Sequence, residues 1–369
     1  MKKMAVLSWV VICAVALFLA GPVRGQDFQR DLEGTVGKAR VQMELTKIGQ
    51  SLEGSYYYEK YGTPIKVKGQ MIKSKVRLKE EKGAIFEGDL ANDGSFQGTW
   101  ASRDKKRSLP VTLKVALDTV AFTIYSKDWT RQGKSKLIEK CEFERLYLHP
   151  TGYGDNKNLE KIRGTVWKIF FGDRNLAAAK GDPRKAIDLE SKEFRAECLQ
   201  AEKDGAGSDH METTKKMSTV FNQDSILTIK NESWEYMGGT RGTPDTSYTV
   251  INLEKGAALL LKDIFKDGYD TYLGTIVTKK LKEELAQIDK KAKSLKDAGY
   301  TKFKENSLND PYFYITSDGI GFFYNAYALG PAGPLGAVSE TDIFVPFKEI
   351  EKERLRPESV VYKLAYGKK

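Results

Sequence analysis

A small all-β meander, either a barrel or a sandwich, followed by an α+β domain is the fold class this sequence predicts. Three observations point there. From Leu32 to about Leu148 apolar and polar residues alternate in short runs, the mark of strands with one buried face. Past Leu159 strand-like runs are interrupted by amphipathic stretches of helical spacing, with no regular βαβ rhythm. Between the two lies a polar segment rich in Gly and Asn, Pro150-Thr151-Gly152-Tyr153-Gly154-Asp155-Asn156. The expected divisions are 1–25 for a leader, 26–148 for the β domain, 149–160 for a linker and 161–369 for the α+β domain.

The leader comes first. Lys2 and Lys3 precede an apolar run from Met4 to Ala20, Gly21-Pro22 breaks it, and Val23-Arg24-Gly25 offers small residues for cleavage. That is a secretory signal; the alternative, a retained anchor, would be at the short end for spanning a bilayer. Cys13 follows a bulky Ile12 inside the run, which does not suit a lipoprotein signal. No later segment is apolar enough to insert stably, so a periplasmic or extracellular location is expected. Without the leader the 60 basic side chains fall by three to 57, against 50 acidic. The charges are interspersed, so nucleic acid is not an expected partner. An anionic wall polymer or membrane surface is weakly favoured.

In the β domain, Val41–Leu45, Ile65–Lys68 and Val111–Val115 alternate cleanly. An apolar-x-Gly unit recurs at Gly54, Gly69, Gly88 and Gly98, at intervals of 15, 19 and 10 residues. These are too irregular for a solenoid and suit hairpins of strongly twisted strands. Asn92-Asp93-Gly94 is a turn between two of them. Tyr56-Tyr57-Tyr58 must place rings on both faces of its strand. Aromatic packing inside a small barrel is the simpler account of them; a carbohydrate-stacking face is the other.

In the α+β domain, Val166–Phe171 reads as a strand. Asp182-Pro183 starts a helix to about Lys203, with Asp as N-cap and Pro in the first turn. Strands follow at Met217–Phe221, Ile226–Trp234 and Tyr248–Leu253. A long helix is expected from Leu273 to Lys296, then a strand at Ile343–Val345, a short helix from Phe347 to Arg354 and a polar tail. Cys141 and Cys198 either pair, as two cysteines in an oxidising compartment commonly do, or remain separate buried thiols.

Chemistry-bearing motifs are scarce. His149 and His210 fall in what read as linker and loop, with no metal-ligand spacing around them. No metal or other cofactor is expected. Neither a Gly-x-Ser-x-Gly elbow nor a His-Glu-x-x-His is present. Asp318 is explained by an Asp-Gly turn, and Glu283-Glu284 by a solvated helix face. The chain is therefore expected not to be an enzyme. The alternatives are a cell-wall glycan hydrolase or esterase with dispersed carboxylates, or a structural envelope protein.

The most informative stretch is Tyr312–Gly336. Tyr312–Ile315 and Ile320–Tyr324 flank Ser317-Asp318-Gly319 as a hairpin. It opens into Asn325-Ala326-Tyr327-Ala328-Leu329-Gly330-Pro331-Ala332-Gly333-Pro334-Leu335-Gly336, a loop without charge. A second unusual run is Tyr236-Met237-Gly238-Gly239-Thr240-Arg241-Gly242, followed by Tyr248–Leu253, Lys255-Gly256 and Leu261-Lys262-Asp263-Ile264-Phe265. Together these resemble a paired extracytoplasmic module. It forms the sensor portion of RsiV-type anti-sigma factors, which bind lysozyme, and precedes the catalytic domain of some peptidoglycan deacetylases. The likeness spans roughly 160–356. It departs from the pattern at Thr240 and Arg241, where the module has alanine and histidine, so the role of that histidine does not carry over. An anti-sigma role itself is not expected, because only three residues precede the apolar run.

What the resemblance implies is a non-enzymatic binding protein whose partner is a lysozyme-type protein or peptidoglycan. The candidate ligand-binding residues are Tyr236, Gly238, Gly239, Arg241, Asn325, Tyr327 and Pro331. For the first run two accounts stand side by side. Its glycines can serve a tight bend, or Arg241 can meet a carboxylate or sugar oxygen. Tyr327, flanked by small residues, suits a partner anchor.

Overall fold

The computed structural model describes residues 26–135, 138–155, 157–173, 178–204, 210–238, 242–288, 294–330 and 340–367. The leader, Gly239, Arg241 and Pro331 lie outside the described residues.

Eight consecutive antiparallel strands form the first unit: β1 (Phe28–Val36), β2 (Ala39–Ile48), β3 (Ser51–Tyr58), β4 (Ile65–Ile72), β5 (Lys75–Glu80), β6 (Ile85–Leu90), β7 (Phe96–Ala101) and β8 (Ser108–Val115). Each pairs with the next, and β8 returns to β1, from Leu32 against Val115 to Val36 against Val111. The meander is thus a closed barrel rather than a sandwich, with no edge strand between β1 and β8. Leu32, Val41, Leu45, Leu52, Phe86 and Leu113 fill its interior. The tyrosine run splits as its period demands. Tyr56 is buried inside, its hydroxyl donating to Glu80 Oε1 at 2.6 Å, while Tyr57 lies outside and donates to Gln42. Trp100 Nε1 reaches the same Glu80 oxygen at 2.7 Å.

The recurring glycines are explained by close approach between strands. A Cβ at Gly54 would stand 1.9 Å from the Glu44 carbonyl oxygen. Gly54→Ala must push strands β2 and β3 apart, and is expected to cost about 1–3 kcal/mol in a denaturant titration.

β9 (Ala121–Ser135) and β10 (Ile138–Gly152) leave the barrel, although β9 still pairs with the start of β1 at Phe28 and Gln29. They continue into β11 (His210–Gln223), β12 (Ile226–Tyr236), β13 (Thr243–Asn252) and the short β14 (Ala257–Ala258). So residues 149–152, expected in a linker, end a strand. Their Gly and Pro mark a register irregularity at Pro150–Gly152 rather than a break.

Of these pairings only β10 with β11 is parallel. A parallel pair needs a long crossover, here supplied by α1 (Leu159–Phe171) and α2 (Pro183–Asp204). α1 is a correction to the expected strand at Val166–Phe171. Leu159, Ile162, Val166, Trp167, Phe170 and Phe171 are its buried residues, a helical period that begins before the β-prone run. α2 starts as expected, with Asp182 Oδ1 accepting from the Arg184 amide at 2.9 Å. Cys141 of β10 and Cys198 of α2 form a disulfide with a Cα–Cα distance of 6.6 Å, which staples the crossover to the sheet.

The last region holds α3 (Leu261–Ile264), α4 (Tyr269–Ile288), β15 (Tyr312–Ile315), β16 (Gly319–Tyr324), β17 (Thr341–Pro346) and α5 (Val360–Tyr366). The expected hairpin is β15–β16, with β17 as third strand. Two differences stand out. The expected helix over Phe347–Arg354 is two 3-10 turns, Phe347–Glu349 and Lys352–Arg354. The supposed polar tail contains α5, which is capped by Ser359 and buries Val360, Val361 and Leu364. Three short apolar positions in a charged tail are too few to show a period in sequence. Among the described residues, no helix is long and apolar enough to cross a membrane.

Candidate functional site

Alternation along β12 decides which side chains are available. Leu227 and Ile229 join the core under α1 and α2, whereas Ile226 joins the other core, under β15–β17. The even-numbered residues therefore share the face on which the three-stranded sheet sits. The buried Thr228 hydroxyl fixes that contact by donating to the Ile315 carbonyl at 3.1 Å. Further along the same face, Lys230, Trp234 and Tyr236 are half-buried and Glu232 is exposed.

Next to them stands an aromatic group built from both sheets. Tyr248 of β13 meets Tyr314 of β15 with ring centroids 4.8 Å apart, and Phe323 of β16 at 5.3 Å. Tyr314 donates its hydroxyl to both Asp342 oxygens, at 2.9 and 3.0 Å. Burial pushes the Asp342 carboxyl up; the Tyr314 hydrogen bond and Lys230 oppose it. The Tyr248 phenol is raised to about 12, by burial first and then by Asp342. Tyr312, at the start of β15, is 42% exposed.

The loop after β16 is anchored on β13 near this end of the sheet. Asn325 follows β16, and its side chain is committed to β13. Its Oδ1 accepts from the Thr246 amide at 2.9 Å, and its Nδ2 donates to Asp245 Oδ1 and the Thr246 carbonyl, each at 2.9 Å. Asn325 thus holds the loop in place. Two residues on, Tyr327 adopts φ 66 and is 41% exposed. That backbone region is costly for a ring-bearing residue. On the β12–β13 side, Met237 is 44% exposed and Gly238 takes φ 100. A Cβ at Gly242 would lie 2.1 Å from Trp234 Cζ2, so this glycine is needed for close packing. Tyr236, Gly238, Asn325 and Tyr327 are therefore brought to one end of the fold.

Sequence reasoning missed two further constellations. His149 and His210 lie in strands, not in linker and loop: His149 is in β10 and His210 opens β11. The parallel register sets Lys140 opposite His210 and Glu142 opposite Glu212. One ligand atom from each of Glu142, His210 and Glu212 falls within 4.8 Å of the other two. Tyr236 pairs with Glu212 across β11–β12, and its ring centroid is 5.9 Å from that of His210.

The second constellation lies where the barrel meets the end of β11, a cleft of about 500 Å³ bordered by Asp31, Glu44, Tyr57, Asn222, Gln223 and Asp318. Asp31 and Glu44 are direct cross-strand partners on β1 and β2. Asn222 Nδ2 donates to Asp31 at 2.6 Å, and Gln29 Nε2 to Glu44 at 2.6 Å. Burial, reinforced by Glu44, raises the Asp31 carboxyl to about 8; burial also raises Glu44. No spacing rule could have shown this, because the cleft exists only once the barrel is docked on β11.

Comparison with known proteins places part of this architecture. Residues 262–348 match a family described as "Protein of unknown function (DUF3298)". The matched span runs from α3 past β17 and contains the Asn325–Gly336 loop. A crystal structure of a member of the DUF3298 family from Bacteroides fragilis is similar, at 20% identity and a TM-score of 0.53, covering 68% of this chain and all of that one. Another, of a DUF3298 family protein from Pseudomonas aeruginosa, has 14% identity and a TM-score of 0.44, covering 66% of this chain and 97% of that one. The first likeness shows a shared fold. No curated protein matches the chain.

Proposed function

We propose that this chain is an exported, non-catalytic binding protein of the bacterial envelope that holds peptidoglycan against the aromatic group where β12 and β13 meet the three-stranded sheet. The observation that carries the reading is a group of rings on rigid strands, with Tyr312 exposed and Trp234, Tyr236, Tyr248 and Tyr314 half-buried beside hydrogen-bonding edges. A sugar ring has apolar C–H faces and polar rims, so it suits aromatic faces with carboxylates and amides beside them. Holding rather than cutting is supported by the state of the bordering carboxylates. Glu232 is paired with Lys230 at 2.6 Å, and Asp342 is occupied by Tyr314. Export is supported by the Lys2–Gly25 leader pattern and by the disulfide, which needs an oxidising compartment to persist.

A lysozyme-type protein is the second reading, consistent with the resemblance to RsiV-type sensors. Tyr327 favours it: a large ring held out on a strained backbone, with Met237 exposed at the same end of the fold, is the form of a protein-interface anchor. Tyr327→Gly separates anchor from scaffold, because glycine accepts the positive φ without strain. The melting temperature of the variant should stay level or rise, while capture of lysozyme on beads falls at least tenfold. Unchanged capture would remove Tyr327 from the site. Release of reducing ends or acetate from peptidoglycan by the unmodified chain would instead favour the hydrolase or esterase alternative.

A further inference from the structure

We infer that Glu142, His210 and Glu212 form a binding site for a divalent transition-metal ion of the zinc type on the open face of the sheet. The argument begins with the strand register. β10 and β11 are parallel neighbours, and Glu142 is opposite Glu212. Cys141, Phe143 and Met211 turn toward the helices, so Glu142, His210 and Glu212 project together on the other side. Residues 68 and 70 positions apart in sequence are thereby gathered on one small patch.

The donor set is one imidazole and two carboxylates, with ligand atoms mutually within 4.8 Å and all three side chains half-buried. His210 Nε2 is already 3.1 Å from Glu142 Oε2. A zinc-type ion sits about 2.0–2.2 Å from nitrogen and oxygen donors, so modest rotamer adjustment closes the three around it. Mixed nitrogen and oxygen donors select such an ion over calcium or magnesium, which prefer oxygen alone. Three protein ligands leave a further coordination position open.

Charge supports the same assignment. Among the described residues Glu212 has no ion-pair or hydrogen-bond partner for its carboxylate, although it faces an imidazole. Lys140 places its ammonium 2.7 Å from the second oxygen of Glu142. A cation is thus already attracted to the patch, and the lysine is the group an incoming ion must displace. Thiols do not compete, since both cysteines of residues 26–369 are in the disulfide.

The test uses tag-free residues 26–369, stripped with chelator and titrated with zinc chloride by calorimetry at pH 7.5, with calcium chloride in parallel. One zinc ion per chain is expected, with calcium at least tenfold weaker. Glu212→Gln and His210→Ala should each weaken zinc binding tenfold or more, and His149→Ala should leave it unchanged. Lys140→Ala should tighten binding, an outcome a merely structural role for the patch would not produce. Zinc binding absent at millimolar concentration, or equally strong in the Glu212→Gln variant with an unchanged melting temperature, would overturn the assignment. This readout does not depend on any glycan or protein partner.

Discussion

Replacing both Cys141 and Cys198 by alanine is expected to produce the largest loss of stability of any conservative change in this chain. The bond closes a loop between residues 57 positions apart. In the chain-entropy account such a cross-link is worth about 4 kcal/mol. For a protein of this size that corresponds to a fall in Tm on the order of 10 °C. The location adds to the effect. Cys141 and Cys198 are fully buried between β10 and α2, where Phe143, Phe194 and Met211 pack around them. Without the bond only packing and a few polar contacts, such as Arg145 to Glu190 at 2.8 Å, hold α2 on the sheet. The loss should therefore appear as early release of α2, read by hydrogen exchange, with the barrel protected to higher temperature. The same fall should follow from reductant on the unmodified chain. If reduction leaves both Tm and exchange in α2 unchanged, the disulfide is not what secures the crossover.

Asp31→Asn is expected to stabilise the protein, by an amount that grows from about pH 4 to about pH 8. The carboxyl of Asp31 is raised from 3.8 to about 8, by burial first and by Glu44 second. An acid with a raised folded-state value binds its proton more tightly when folded. Its contribution is therefore fully present below about pH 4 and is lost as pH rises to about 8, above which it is flat. At pH 9 the folded protein carries an ionised Asp31 beside Glu44; asparagine removes that charge. It can still accept the Asn222 amide, which donates at 2.6 Å in the unmodified protein. Part of the side chain borders the open cleft, so solvent reduces the effect to roughly 2–4 kcal/mol at pH 9. At pH 5, where Asp31 is protonated in the folded protein and ionised only in the unfolded chain, the difference should be much smaller than at pH 9. Equal Tm differences at pH 5 and pH 9 would contradict the placement of this acid.

What sequence made legible follows from how far each signal reaches. The barrel strands alternate over residues that lie next to one another, and its turns carry their own chemistry, as at Asn92-Asp93-Gly94, where Asp93 accepts from the Ser95 amide. The β15–β16 hairpin is local in the same sense. α1 was misread because Val166–Phe171 is β-branched and aromatic; the period is visible only when Leu159 and Ile162 are included. The Cys141–Cys198 pairing depends on which face of α2 meets β10, which two spacings cannot specify.

The site divides in the same way. Small neighbours make Tyr327 suit an anchor, and the residue is 41% exposed. Asn325 looks identical in sequence, yet its amide is consumed by Asp245 and Thr246, 79 to 80 residues earlier. The platform of Trp234, Tyr248 and Tyr314 needs the stacking of two sheets, and the Glu142–His210–Glu212 patch needs a parallel register. Neither leaves a trace in local pattern.

Co-sedimentation of residues 26–369 with purified insoluble peptidoglycan tests the central claim most directly. The unmodified chain should sediment with the glycan and release neither reducing ends nor acetate. Tyr312→Ala and Trp234→Ala should each weaken retention by about tenfold, equivalent to about 1.4 kcal/mol, while Tm moves by no more than a few degrees. Retention that survives both substitutions in folded protein, or no retention of the unmodified chain, would contradict the account.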